Sequence, residues 1–142
     1  MKVVLDTNVF VSSFFGGKPR SVIDLWKAGR ITLCLSPPIL EEYVRVLQRM
    51  GVGQGGALQD LLRLFKEGRN VVFTSRTTTL RIVSDDPDDD KFLACAVALG
   101  ARFVVSGDRH LNRLATYGDI RIVTPAAFLT SIATAPPSKG LG

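Results

Sequence analysis

Apolar positions along this chain fall into two kinds of run. One kind is short, consecutive and rich in β-branched residues: Val3-Val4-Leu5, Ile31 to Leu35, Val71 to Phe73, Leu80 to Val83, Phe103 to Val105 and Ile120 to Val123. Runs of this length without polar alternation predict strands covered on both faces. The other kind repeats at helical spacing. Val22, Ile23, Leu25 and Trp26 lie in a segment that Pro19 opens and Gly29 stops. Leu40, Tyr43, Val44 and Leu47 keep the i, i+3, i+4, i+7 pattern behind Ser36, a capping residue, and Pro37 in the first turn. Leu58, Leu61, Leu62 and Phe65 share a face that ends at Gly68, and an alanine-rich helix from Asp90 to Leu99 stops at Gly100. A short helix follows near Leu111–Ala115, and Pro125 opens a last one. Strands alternating with helices predict one α/β domain, with a central, mainly parallel β-sheet flanked by helices on both faces. The domain spans residues 1–132, and residues 133–142, with Pro136-Pro137, form a flexible tail.

In sheets of this kind, sites form beyond the carboxyl ends of the strands. Asp6 and Asp108 each follow directly on such an end, in Asp6-Thr7-Asn8 and Ser106-Gly107-Asp108, both of which carry turn chemistry. Gly51-Val52-Gly53-Gln54-Gly55-Gly56 matches the letters of a dinucleotide loop but follows a helix instead of a strand, so it is expected to be a flexible inter-helix break.

Composition narrows the picture. The chain has 142 residues, 46% of them hydrophobic, enough for one domain with its own core. Lys2 to Leu5 enters a strand at once, unlike a secretory leader, and no apolar run is long enough to span a membrane, so the expected location is cytoplasmic. Cys34 and Cys95 lack metal-ligand spacing and are expected to be buried thiols. The net charge of +5 suits a polyanionic partner, yet five of the 13 acids fall between Asp85 and Asp90. An acidic spot on a basic body is the charge pattern of a metal-dependent nuclease, or simply of a soluble surface with one acidic loop.

Four acids stand at element boundaries or on an otherwise apolar helix: Asp6, Glu42, Asp90 and Asp108. Taken singly, each has a structural explanation. Asp6 suits an Asx turn, Asp90 a helix N-terminus, Asp108 a cap and Glu42 a solvated helix face. Taken together, carboxylates gathered in space repel one another unless a cation binds. Hard oxygen donors select Mg²⁺ or Mn²⁺, and such ions assist attack of water on a phosphodiester.

The segments Val3-Val-Leu-Asp6-Thr-Asn8-Val-Phe-Val, Ser36-Pro-Pro-Ile-Leu-Glu-Glu42-Tyr-Val-Arg-Val-Leu, Asp88-Asp-Asp90-Lys-Phe-Leu-Ala-Cys-Ala and Val104-Val-Ser106-Gly-Asp108-Arg-His-Leu resemble the successive motifs of PIN domains. More narrowly, they resemble the VapC-like toxin components of toxin–antitoxin systems. The resemblance runs from about Lys2 to Leu129. It implies an Mg²⁺- or Mn²⁺-dependent endoribonuclease in which Asp6, Glu42, Asp90 and Asp108 hold the metal and carry catalysis, with Glu41 as an alternative register for Glu42. Asn8 and Ser106 match supporting polar positions, and Asp86 and Asp89 are further supporting candidates. The resemblance also implies a toxin role, a cognate antitoxin and a homodimer.

Lys91, Arg109, His110 and Arg45 are the basic candidates for contacts to RNA phosphates. Two other readings stand beside this one. The first is a non-catalytic PIN module that binds RNA or protein. The second is an aspartyl-phosphate hydrolase, which wants a second Asp where Asn8 stands.

Overall fold

Val3, Val4 and Leu5 are all buried, although successive side chains of a strand point to opposite faces. The strand they belong to, β1 (Lys2–Leu5), is therefore covered on both sides. The computed structural model describes residues 1–51, 56–75 and 89–134. Within these, β2 (Thr32–Leu35), β3 (Val71–Phe73), β4 (Phe103–Val105), β5 (Thr116–Tyr117) and β6 (Ile120–Val123) join β1 in one sheet, in the order β3-β2-β1-β4-β6-β5. All pairs are parallel except β5 with β6. The chain moves outward from β1 to β2 and β3, then returns to the other side of β1 with β4. The sheet order thus reverses at β1, and a crevice is expected beyond the carboxyl ends of β1 and β4.

The helices are α1 (Thr7–Ser12), α2 (Gly17–Lys27), α3 (Pro37–Arg49), α4 (Gly56–Glu67), α5 (Asp90–Leu99), α6 (Arg109–Leu114) and α7 (Pro125–Thr134). Helix α5 keeps the expected bounds and ends where Gly100 adopts φ +70°, a left-handed stop that suits glycine. Helices α2 and α6 each begin two residues before the expected start. Ser36 occupies the cap position of α3 but makes no side-chain cap bond; Pro38 at the second helical position has no N–H to donate.

Two elements depart from the expected pattern. Asp6 starts a helix directly where only a turn is expected, and α1 carries Val9-Phe10-Val11, residues of poor helix propensity. Burial of all three outweighs that preference. The short strand β5 pairs with β6 as a hairpin that the hydrophobic pattern does not reveal. The expected strand Leu80–Val83, most of the Gly51–Gly56 break and the tail beyond Thr134 lie outside the described residues. Helix α7 itself extends through Ala133 and Thr134.

Helix α5 packs on β1, β2 and β4, while α1 packs on α2 and α3. An aromatic group ties the α1 side together. Phe10 stacks on Tyr43 with ring centroids 4.0 Å apart, and Phe65 lies between Phe10 and Trp26 at 5.9 and 5.3 Å. Phe103 and Phe128 meet edge-on, joining β4 to α7. No helix among the described residues is long and apolar enough to cross a membrane.

Cys34 and Cys95 lie inside this core as free thiols. Burial pushes Cys34 up to about 11, with nearby Lys2 acting against it. Burial, reinforced by the charge of Cys34, pushes Cys95 up to about 12. Between the ordinary thiol value and these values the folded chain holds more protons than the unfolded one. The stability contributed by the neutral thiols is therefore complete below about pH 9 and is lost as pH rises through about 11–12. Urea midpoints should fall steadily as pH rises above this lower limit. At pH 8 a thiol reagent should label neither cysteine until urea unfolds the chain. Rapid labelling of the native protein would show that the thiols are accessible.

Candidate functional site

The Asp6 backbone N–H donates to the Val105 carbonyl at 3.0 Å, which extends the β1–β4 ladder one residue beyond the strand. That register sets the carboxyl ends of the two strands side by side, with Leu5 opposite Val105. Asp6 follows one strand and Ser106-Gly107-Asp108 follows the other. Ser106 is fully buried, and its hydroxyl donates to Asp6 Oδ2 while accepting the Asp108 backbone N–H at 2.9 Å. One side chain thus locks the two acids to a common point.

Each acid also caps a helix. Asp6 Oδ1 accepts the Val9 N–H at 2.8 Å at the start of α1. Asp108 Oδ1 accepts the N–H groups of His110 and Leu111 at 2.7 and 3.1 Å at the start of α6. Burial raises the pKa of Asp6; its bonds to Ser106 and Val9 work against this, and the charge of Asp108 adds to the rise. Two neighbouring carboxylates each make ionisation of the other less favourable.

Glu42 comes from α3 and is anchored differently. Its Oε1 accepts from the Thr7 hydroxyl, and its Oε2 accepts from Lys91 Nζ at 2.7 Å. Arg45, one turn further along α3, lies 3.7 Å from the same oxygen. Partial burial pushes the Glu42 carboxyl up, but the Lys91 and Thr7 bonds and the two positive charges outweigh it, so the net shift is downward. Behind Glu42, the Tyr43 hydroxyl donates to the Leu5 carbonyl and so ties α3 to the end of β1. Burial first, then the charge of Asp6, raises Tyr43 well above the usual phenol value, so it stays a neutral donor.

These groups surround a cleft of about 110 Å³. Asp6, Thr7, Asn8, Glu42, Asp89 and Asp108 supply its polar wall, and Val46 and Phe92 its apolar one. Larger cavities open elsewhere, among them an apolar groove of about 570 Å³ beside α3. Volume is a poor guide here, because a hydrated ion needs little room, and it is the small cleft that the carboxylates line.

The expected residues distribute unevenly. Asp6, Glu42 and Asp108 meet at the cleft, with Asn8 exposed at its edge and Ser106 buried beneath. Asp90 is buried at the first position of α5 but does not line the cleft; its neighbour Asp89 does. Glu41 faces the separate apolar groove, which assigns the cleft-facing register to Glu42. Lys91 is occupied by Glu42. Arg45 is exposed near the rim, and Arg109 and His110 are exposed on the first turn of α6, outside the cleft lining. Asp86 lies outside the described residues. Thr7 and Tyr43 are the additions. Thr7 stands in the Asp6-Thr7-Asn8 motif, so its position was visible, but its partner 35 residues away was not.

The donors facing the cleft are oxygen atoms, with neither thiol nor imidazole among them, as a hard divalent ion requires. Among the described residues no three His, Cys, Asp or Glu side chains form a compact metal cage. Mg²⁺ and Mn²⁺ tolerate this, because such ions keep several waters and share their substrate's oxygens.

A family model described as PIN domain matches residues 2–110, a stretch that contains every acid of the cleft. An uncharacterized protein of Methanocaldococcus jannaschii is 29% identical over 120 residues, covering 80% of this chain and 75% of that protein.

The double duty of Ser106 and Asp108 separates structure from chemistry by mutation. Ser106→Ala leaves Asp6 Oδ2 and the Asp108 N–H without their buried partner and should cost about 1–3 kcal/mol in urea unfolding. Asp108→Asn should unfold within about 0.5 kcal/mol of wild type, because Asn caps a helix as well as Asp does and removes repulsion at Asp6. Asp108→Ala loses the cap and should cost about 1 kcal/mol. Equal destabilisation by Asn and Ala would contradict the capping geometry.

Proposed function

The chain belongs to the PIN-domain family, a family made up mainly of nucleases, and from that premise we propose that it is an Mg²⁺- or Mn²⁺-dependent endoribonuclease. The observation that carries the proposal is the convergence of Asp6, Glu42 and Asp108 on one cleft at the point where the sheet order reverses. Asp6, Glu42 and Asp108 would hold the ion, with Asp89 in the cleft wall and Asp90 supporting from the start of α5. A bound divalent ion supplies positive charge that polarises a phosphodiester and an attacking water.

The chain's own groups do the rest. Ser106 and the two helix caps hold Asp6 and Asp108 in fixed rotamers, and Thr7 fixes the Glu42 carboxylate. Arg45 stands exposed close to Glu42, where it can take a neighbouring phosphate of an RNA strand. The +5 net charge favours approach of a polyanion to an otherwise acidic opening. A cytoplasmic location accords with RNA as substrate. The toxin role, a cognate antitoxin and a homodimer rest on the resemblance of the motifs. An antitoxin would block the acidic cleft with Arg or Lys side chains.

End-labelled RNA incubated with the protein should be cut internally with Mg²⁺ or Mn²⁺ and left intact with EDTA. Asp6→Asn and Asp108→Asn should each slow cleavage at least about 100-fold, because loss of a charge facing the ion removes several kcal/mol of stabilisation. RNA that is bound but never cut would favour the non-catalytic reading. Undiminished cleavage by both variants would place the chemistry elsewhere. If the toxin role holds, induced expression of wild type should slow bacterial growth while Asp6→Asn does not.

A further inference from the structure

The acids of the cleft are not equivalent. Asp6 and Asp108 share a serine hydroxyl and backbone N–H groups, and among the described residues neither makes an ion pair. Glu42 is already neutralised: Lys91 sits 2.7 Å away and Arg45 3.7 Å away. Lys91 is not a loose surface lysine. Its side chain is 19% exposed, against 60% for Arg45, and its ammonium lies 5.1 Å from the centre of the Phe92 ring, part of the cleft wall.

Its position on the helix is also unfavourable by itself. Lys91 is the second residue of α5, and a cation at a helix N-terminus faces the positive end of the helix dipole. The attraction of Glu42, whose Oε2 takes the ammonium at 2.7 Å, offsets that cost. Glu42 therefore carries a built-in counter-ion, while among the described residues Asp6 and Asp108 have none.

We infer that the Lys91 ammonium is the chain's own counter-cation for Glu42, which a divalent ion must displace before Glu42 can face it. The inference rests on the reading of the cleft as a divalent-ion site. It makes Lys91 a positioning residue that acts through Glu42, and it makes metal affinity a competition between an ammonium and an ion for one carboxylate. An ion would first meet the uncompensated pair Asp6 and Asp108, and Glu42 would join once the lysine yields.

The test is Mn²⁺ binding to the full chain in the absence of RNA, read by calorimetry and by electron paramagnetic resonance of free Mn²⁺. Lys91→Gln should bind Mn²⁺ about fivefold or more tightly than wild type, the scale of an ordinary coupling between two ligands. In a Glu42→Gln background the same lysine change should leave the affinity within about twofold, since the contested Glu42 carboxylate is gone. Without metal, Lys91→Gln should melt at a lower temperature than wild type, because Glu42 loses its partner, and Mn²⁺ should raise its melting temperature by more. Unchanged or weaker Mn²⁺ binding by Lys91→Gln overturns the inference alone, provided that Asp6→Asn still abolishes binding. A gain that persists in the Glu42→Gln background also overturns it, since it would reflect only the general field of a positive charge. If neither wild type nor Lys91→Gln binds Mn²⁺, or if Asp6→Asn binds as wild type does, the metal reading falls and takes this inference with it.

Discussion

Two carboxylates held side by side at the carboxyl ends of the two central strands repel each other, and the fold contains a specific device that keeps them there. Parallel pairing of β1 with β4 sets Leu5 opposite Val105, so the residues that follow leave the sheet together. The Ser106 hydroxyl then donates to Asp6 and accepts from the backbone of Asp108. A buried hydroxyl with both capacities used is costly to remove and well directed. The cleft, the start of α1 and the start of α6 are all referred to that one point.

The structural and chemical roles of these acids are not alternatives. Asp6 and Asp108 are helix caps, expected from the sequence for Asp108 alone, and they also face the cleft. Capping fixes the carboxylate by tying one oxygen to backbone N–H groups, and this orients the group toward whatever lies in front of it. Such anchoring leaves each side chain little rotamer entropy to lose on taking a ligand. Tyr43 performs the corresponding service for Glu42 through the backbone, joining α3 to the Leu5 carbonyl and stacking on Phe10 of α1.

Charge divides the cleft. On one side Asp6 is raised by burial and by Asp108; on the other, Lys91, Thr7 and Arg45 hold Glu42 below the ordinary range. The opening is thus an acidic pair beside a compensated acid, with positive charge on the rim. A cation and a polyanion can meet in that arrangement without either being excluded by a field of a single sign.

Much of the architecture was legible in the sequence. Buried strands appear there as short β-branched runs, because a strand covered on both faces has no polar positions to alternate. Helix stops appear as glycines, because Gly100 must take a positive φ. The adjacency of Asp6 and Asp108 to strand ends is likewise a local property, and their importance followed from the topology rule for parallel sheets. What is not local could not be read. The helical state of Val9-Phe10-Val11 is decided by the surfaces that bury it, against its own propensity. The motif resemblance already named Glu42 before Glu41, but which of the two faces the cleft depends on how α3 is turned. The placement of Asp89 in the cleft lining, with Asp90 buried and outside it, depends on where α5 begins relative to the sheet. The bonds of Thr7 and Lys91 to Glu42 join residues 35 and 49 positions apart. The sequence by itself determined most of the elements and which acids end strands, because backbone preference and hydrophobic period act over a few residues. Only the tertiary structure decided which carboxylates share a charge and which are already paired, because electrostatic interaction depends on distance in space, and packing alone sets that distance.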